Sequence, residues 1–86
     1  MNLIWSERAW GDYLYWQQTD KRIIKKINAL LKDAVRDPFD GIGKPEPLKH
    51  ELQGSWSRRI TDEHRLIYRP TDTGLDIISC RYHYGQ

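Results

Sequence analysis

Trp56-Ser57-Arg58-Arg59-Ile60-Thr61-Asp62-Glu63-His64-Arg65-Leu66-Ile67-Tyr68-Arg69 carries aromatic, β-branched and charged residues on either side of a polar interruption. Residues of these types suit a pleated, half-buried surface, and Asp62-Glu63-His64 reads as a turn. The stretch therefore predicts a hairpin with strands over 56–61 and 65–69. A further strand is predicted over 75–84, after the turn Thr71-Asp72-Thr73-Gly74, with another possible around Leu48 to Leu52.

Upstream the period changes. Ile23, Ile24, Ile27, Leu30, Leu31 and Ala34 recur at three- and four-residue spacing, which predicts an amphipathic helix through Asp37 with Thr19-Asp20 as its start signal. Pro38 stops it, and Gly41, Gly43, Pro45 and Pro47 make residues 38–47 a loop. Before that helix, Ser6 is placed to cap an earlier one running from Glu7 to about Gln18, and Leu3-Ile4-Trp5 reads as an opening strand. The order is strand, two helices, then an antiparallel meander. It predicts an α+β fold with the helices packed on one face of a small antiparallel sheet.

A chain of 86 residues has room for one modest core, so one domain over 1–86 is expected. No apolar run approaches the roughly 20 residues of a membrane-spanning helix, and Met1 to Glu7 lack the pattern of a secretory signal. A cytoplasmic protein without membrane attachment is expected. The lone Cys80 cannot form an internal disulfide, and no Cys or His pair has zinc-ligand spacing, so neither a metal nor another cofactor is expected. Net charge is only +2, too small to identify a nucleic-acid binder by itself, and the two halves of the chain carry equal charge. All three histidines nevertheless fall in the second half.

That half gathers Lys44, Glu46, Lys49, Arg58, Arg59, Arg65, Arg81 and His83 on or beside the predicted sheet, with Tyr82 and Tyr84. RNA cleavage by transesterification needs a base for the 2′-hydroxyl, cations for the anionic phosphorane, and an acid for the leaving 5′-oxygen. Glutamate, arginine or lysine, and histidine suit those tasks, and a histidine near a phosphate keeps a useful protonated fraction near neutrality. His83 is the histidine selected. Strict alternation along the last strand would send Ile77, Ser79, Arg81 and His83 to one face. Arg59 and Arg65 share a face only if Thr61 pairs with Arg65 across a three-residue turn, or if a bulge corrects the register, and a four-residue turn splits them.

Each assignment has a structural competitor. Glu46 can be a solvated loop carboxylate, Arg58, Arg59 and Arg65 strand-edge solubilisers, and His83 a surface residue near the end of the chain. His50 and His64, beside Glu51 and Glu63, read as surface residues, and Gly41-Ile42-Gly43-Lys44 as a turn rather than a phosphate loop. The aromatic series Trp5, Trp10, Tyr13, Tyr15 and Trp16 reads as core or subunit interface, with dimerisation reasonable for so small a core.

Pro45-Glu46-Pro47-Leu48-Lys49, Trp56 to Ile60, Glu63-His64-Arg65-Leu66 and Cys80-Arg81-Tyr82-His83-Tyr84, with the opening Leu-Ile-Trp-Ser and the Trp-rich first helix, resemble the YoeB (Txe) toxins. These are a branch of the RelE-like ribonuclease toxins, and the resemblance covers nearly the whole chain. It implies Glu46 as general base, His83 as general acid, and Arg65 with Arg59 and Lys49 as phosphate holders, while Tyr84 orients the substrate. It further implies cleavage of messenger RNA in the ribosomal A site, inhibition of translation, a homodimer, and neutralisation by a YefM-type antitoxin. All six positions carry the residue type the motif requires; Gly85-Gln86 after the usual terminal tyrosine is a departure. A non-catalytic RNA-binding module and a pure interaction protein are the alternatives.

Overall fold

Asp20 ends one helix and starts the next. Its N–H donates to the Trp16 carbonyl at 2.9 Å, closing helix α1 (Glu7–Thr19). Its carboxylate accepts from the Arg22 and Ile23 N–H groups at 3.0 and 3.4 Å, opening helix α2 (Lys21–Arg36). One residue thus satisfies orphan groups of both helices, so they need no connecting loop. In the computed structural model, which describes residues 1–82, the pair packs on one face of a five-stranded sheet.

The strands are β1 (Asn2–Trp5), β2 (Glu46–Pro47), β3 (Trp56–Arg59), β4 (Arg65–Pro70) and β5 (Gly74–Ser79), in the order β1-β5-β4-β3-β2. The meander from β2 to β5 is antiparallel, as the turns predict. The sheet as a whole is mixed, because β1 lies parallel to β5 with Asn2 opposite Gly74 and Trp5 opposite Ile77. The sequence predicts the antiparallel meander and leaves the direction of the opening strand open. Residues 6–73 intervene between these two strands, long enough for a parallel crossover, and no local sequence signal fixes the direction of such a pair.

The core lies between sheet and helices. Ile27, Leu30, Leu31 and Ala34 of α2 and Ala9 and Trp16 of α1 meet Leu66, Tyr68, Leu75 and Ile77. Each large apolar side chain removed from water there contributes about 1.5–3 kcal/mol. Ser6 joins the layers: its hydroxyl accepts from the Ala9 N–H at 2.9 Å as the α1 cap and donates to the Ile78 carbonyl at 2.8 Å.

Three predicted strands are shorter or absent, and the one predicted over 56–61 ends at Arg59. Residues 48–52 form no strand; the Leu48 N–H still reaches the Ser55 carbonyl, but left-handed backbone at His50 turns the chain into a 3-10 turn over His50–Leu52. β5 stops at Ser79 because α1 takes both peptide groups of Cys80. Its N–H donates to Asp12 Oδ2 at 3.0 Å and its carbonyl accepts from Trp16 Nε1 at 2.8 Å.

The alternation expected along β5 also fails. A bulge between Ile67 and Tyr68 pairs Tyr68 with Ile77 but Ile67 with Ser79. Ile77 therefore faces the helices while Ser79 faces the other way, so the two do not share a face and the parity cannot be carried on to Arg81. His83 and Tyr84 lie outside the described residues.

Candidate functional site

The sheet face turned away from the helices brings several of the candidate residues together. Glu46 is opposite Ser57, Ser57 is opposite Ile67, and Arg59 is opposite Arg65. Direct cross-strand partners share a face, and so do residues two apart on a strand. Glu46, Arg59 and Arg65 accordingly lie on one face, with Ile67 and Ser79. The register makes Arg59 and Arg65 a direct pair across a five-residue connection, which brings them together by a different route from the three-residue turn considered above.

Arg65 is held from behind. One of its guanidinium nitrogens donates to the carbonyls of Thr61, Asp62 and His64 at 2.7, 3.2 and 3.1 Å. These bonds leave the rest of the fork for an anion. Arg59 is exposed, and its N–H donates to the Gly43 carbonyl at 2.6 Å, which ties the 38–45 loop to β3. Glu46 and Lys49 are exposed and line one depression with Pro47, Leu48 and His50. Among the described residues no three of His, Cys, Asp and Glu converge as a metal-ligand set.

Arg58 belongs elsewhere. Its parity places it on the helix side, where its side chain is 0 % exposed, so it is not part of a phosphate-handling surface. The guanidinium donates to Asp33 Oδ2 at 2.6 Å, to the carbonyls of Ile42, Asp37 and Asp40, and through Nε to the Tyr68 hydroxyl at 2.9 Å. It nails the 37–42 loop to the core. The Arg58 bond, followed by the Ile42 N–H, holds the Asp33 carboxyl down at about 2. Burial pushes the Tyr68 hydroxyl upward. Gly41 and Gly43, both with positive φ, make the turn that this anchor requires, in agreement with reading the segment as a turn.

His64 is buried rather than on the surface. Its ring packs edge-on to Trp16 at 4.8 Å, and its Nδ1 accepts from the Tyr82 N–H at 2.7 Å. The acidic neighbour Glu63 suggested exposure; no signal in the sequence places Trp16 against His64. The aromatic helix divides, with Trp16 in the core and Trp10 and Tyr15 exposed.

The profile of the family described as YoeB-like toxin of bacterial type II toxin-antitoxin system matches residues 5–84. The chain belongs to the YoeB family of toxins. It is 70% identical to Toxin YoeB of Escherichia coli K12 over 98% of this chain and 100% of that one. Among solved structures it is similar to a YoeB/ParE toxin from Agrobacterium tumefaciens (TM-score 0.93, 52% identity, 98% and 100% coverage). It is also similar to YoeB from Staphylococcus aureus (TM-score 0.91, 52% identity, 98% coverage of each chain), solved as a dimer and also in complex with YefM. The YoeB assignment agrees with the resemblance carried by the 45–49, 56–60, 63–66 and 80–84 motifs.

Proposed function

We propose that this YoeB-family toxin is an endoribonuclease that cuts messenger RNA in the ribosomal A site and so blocks translation. The observation that carries the proposal is the Arg59–Arg65 pair on the same sheet face as Glu46. Two cations directly opposite each other repel, and a phosphodiester between them relieves that repulsion.

In this reading Glu46 takes the proton of the 2′-hydroxyl, and the 2′-oxygen forms its bond to phosphorus. Arg65, with Arg59 and Lys49, stabilises the phosphorane. The bond from phosphorus to the 5′-oxygen breaks as His83 delivers a proton to that oxygen, leaving a 2′,3′-cyclic phosphate. Tyr84 orients the substrate. Protons and electrons balance without a metal or other cofactor. An exposed Glu46 is a weak base, and in-line positioning of the message by a large RNA partner supplies much of what it lacks.

We further propose that residues 1–86 act as one ribonuclease domain in the cytoplasm, that the protein is a homodimer, and that a YefM-type antitoxin neutralises it. The last two points extend to this chain what the Staphylococcus aureus relative forms. No described helix is long and apolar enough to cross a membrane.

The test is to incubate the toxin with ribosomes holding a defined message, with and without a 2′-deoxy substitution at the scissile nucleotide, and to map the ends. A cut abolished by the substitution supports 2′-hydroxyl attack. An uncut message with translation still blocked replaces the enzyme with an RNA-binding module.

A further inference from the structure

The segment that leads to His83 is gripped peptide by peptide. Asp12 and Trp16 take the N–H and carbonyl of Cys80. The Arg81 guanidinium lies over the Tyr15 ring at 3.7 Å and the Tyr82 ring at 4.7 Å. Tyr82 is held by two consecutive residues of β4 and its turn: its N–H donates to His64 Nδ1 at 2.7 Å, and its carbonyl accepts from the Arg65 N–H at 3.0 Å.

Tyr82 has φ +65°, left-handed backbone that a residue with a side chain adopts rarely unless its surroundings enforce it. The two bonds just named hold its backbone, while the Arg81 guanidinium donates to its hydroxyl at 2.9 Å. The bond to His64 fixes the tautomer: with the Nδ1 lone pair accepting, the proton of the neutral ring sits on Nε2, on the side of Glu63 Oε1 at 3.7 Å.

We propose that His64 is a positioning residue for cleavage: by accepting the Tyr82 N–H it holds Tyr82 in the left-handed conformation and so sets the peptide from which His83 follows. The inference rests on reading His83 as the acid. The burial of His64 against Trp16 offers a rival role as plain core packing, and the two roles separate chemically. Phenylalanine keeps a ring against Trp16 and has no lone pair for Tyr82. Asparagine gives up the ring and places an acceptor oxygen near the Nδ1 position.

The experiment compares full-length wild-type, His64→Phe, His64→Asn and His83→Ala toxins on programmed ribosomes, each well below its own unfolding midpoint. Two messages are used: an ordinary one, and one whose leaving 5′-oxygen is replaced by sulfur, which departs without a proton. His64→Phe is expected to lower kcat on the ordinary message roughly 10- to 100-fold, with KM nearly unchanged. His64→Asn recovers most of that rate, and the sulfur message restores His64→Phe. A nitrogen–nitrogen coupling across the hydrogen bond from Tyr82 to His64 is present in the wild type and absent in His64→Phe.

Wild-type cleavage by His64→Phe overturns the proposal. So does equal slowing on both messages, or a His64→Asn rate no better than that of His64→Phe. His83→Ala reports separately on the underlying reading: slow on the ordinary message and restored by sulfur, it supports the acid assignment, and at wild-type rate it removes that assignment and the inference with it.

Discussion

Arg59 and Arg65 stand directly opposite each other across β3 and β4, like charges in a position where sheets ordinarily pair opposite ones. Such a pair costs the free protein about 0.2–1 kcal/mol. Removing the exposed member should therefore leave stability unchanged or slightly raised while weakening activity. Arg59→Ala is expected to keep or raise the thermal midpoint and to slow A-site cleavage by about tenfold. Arg65→Ala, which also strips three carbonyls of their donor, should slow cleavage by about 100-fold or more and lower the midpoint. If Arg59→Ala destabilises the fold and cleaves normally, the pair is structural.

Arg58, next to Arg59 in sequence, should behave in the opposite way. Its guanidinium is buried and shared among Asp33, Tyr68 and three loop carbonyls. Arg58→Met is expected to cost about 3 kcal/mol or more, because the loop's acceptors lose their donor in a place water does not easily reach. Chemical denaturation measures it, and a loss below about 1 kcal/mol would show that the loop is anchored by other means.

These adjacent arginines show where the sequence was legible. Periodicity placed α2, the Ser6 cap signal placed α1, and turn residues placed the hairpin, because local propensity and burial agree there. The Arg59–Arg65 facing was conditional on register, which the sequence does not print. Arg58 and His64 were misread because both owe their burial to partners distant in sequence: Asp33 is 25 residues from Arg58, and Trp16 is on another element. Glu46 and Lys49 were placed by motif and came out exposed, Glu46 on the edge strand β2 and Lys49 just beyond it. The direction of β1 was beyond reach for the same reason as Arg58's partners.

Gly74 carries that β1 pairing. A Cβ built on it would sit 1.9 Å from the Asn2 carbonyl oxygen, backbone that cannot swing aside. Gly74→Ala should push β1 off β5 at its start and cost about 1–3 kcal/mol. Amide exchange locates the damage: faster exchange confined to residues 2–5 and the paired end of β5 is the expected pattern. Native exchange there would mean that the strand accommodates the methyl.

Cys80 should be chemically silent. Burial, reinforced by the Asp12 carboxylate, pushes its thiol up to about 12, and the thiolate is the reactive form. A folded sample at pH 8 should resist alkylation that completes in denaturant. Rapid labelling of the native protein would place the thiol in solvent.

Asp33 predicts the acid limb of stability. Its carboxyl titrates near 2 when folded, against about 3.9 in an unfolded chain, so the ionised form favours the native state. That contribution is fully present above about pH 4 and disappears as pH falls toward 2, because protonation removes the charge that Arg58 holds. Asp33→Asn should therefore be less stable than the wild type at pH 7, with the gap narrowing between about pH 4 and pH 2. Urea midpoints across that range measure the gap. A difference that stays constant with pH would assign the loss to the carboxylate's shape and hydrogen bonds to Arg58, Arg36 and Ile42, leaving its charge without a part.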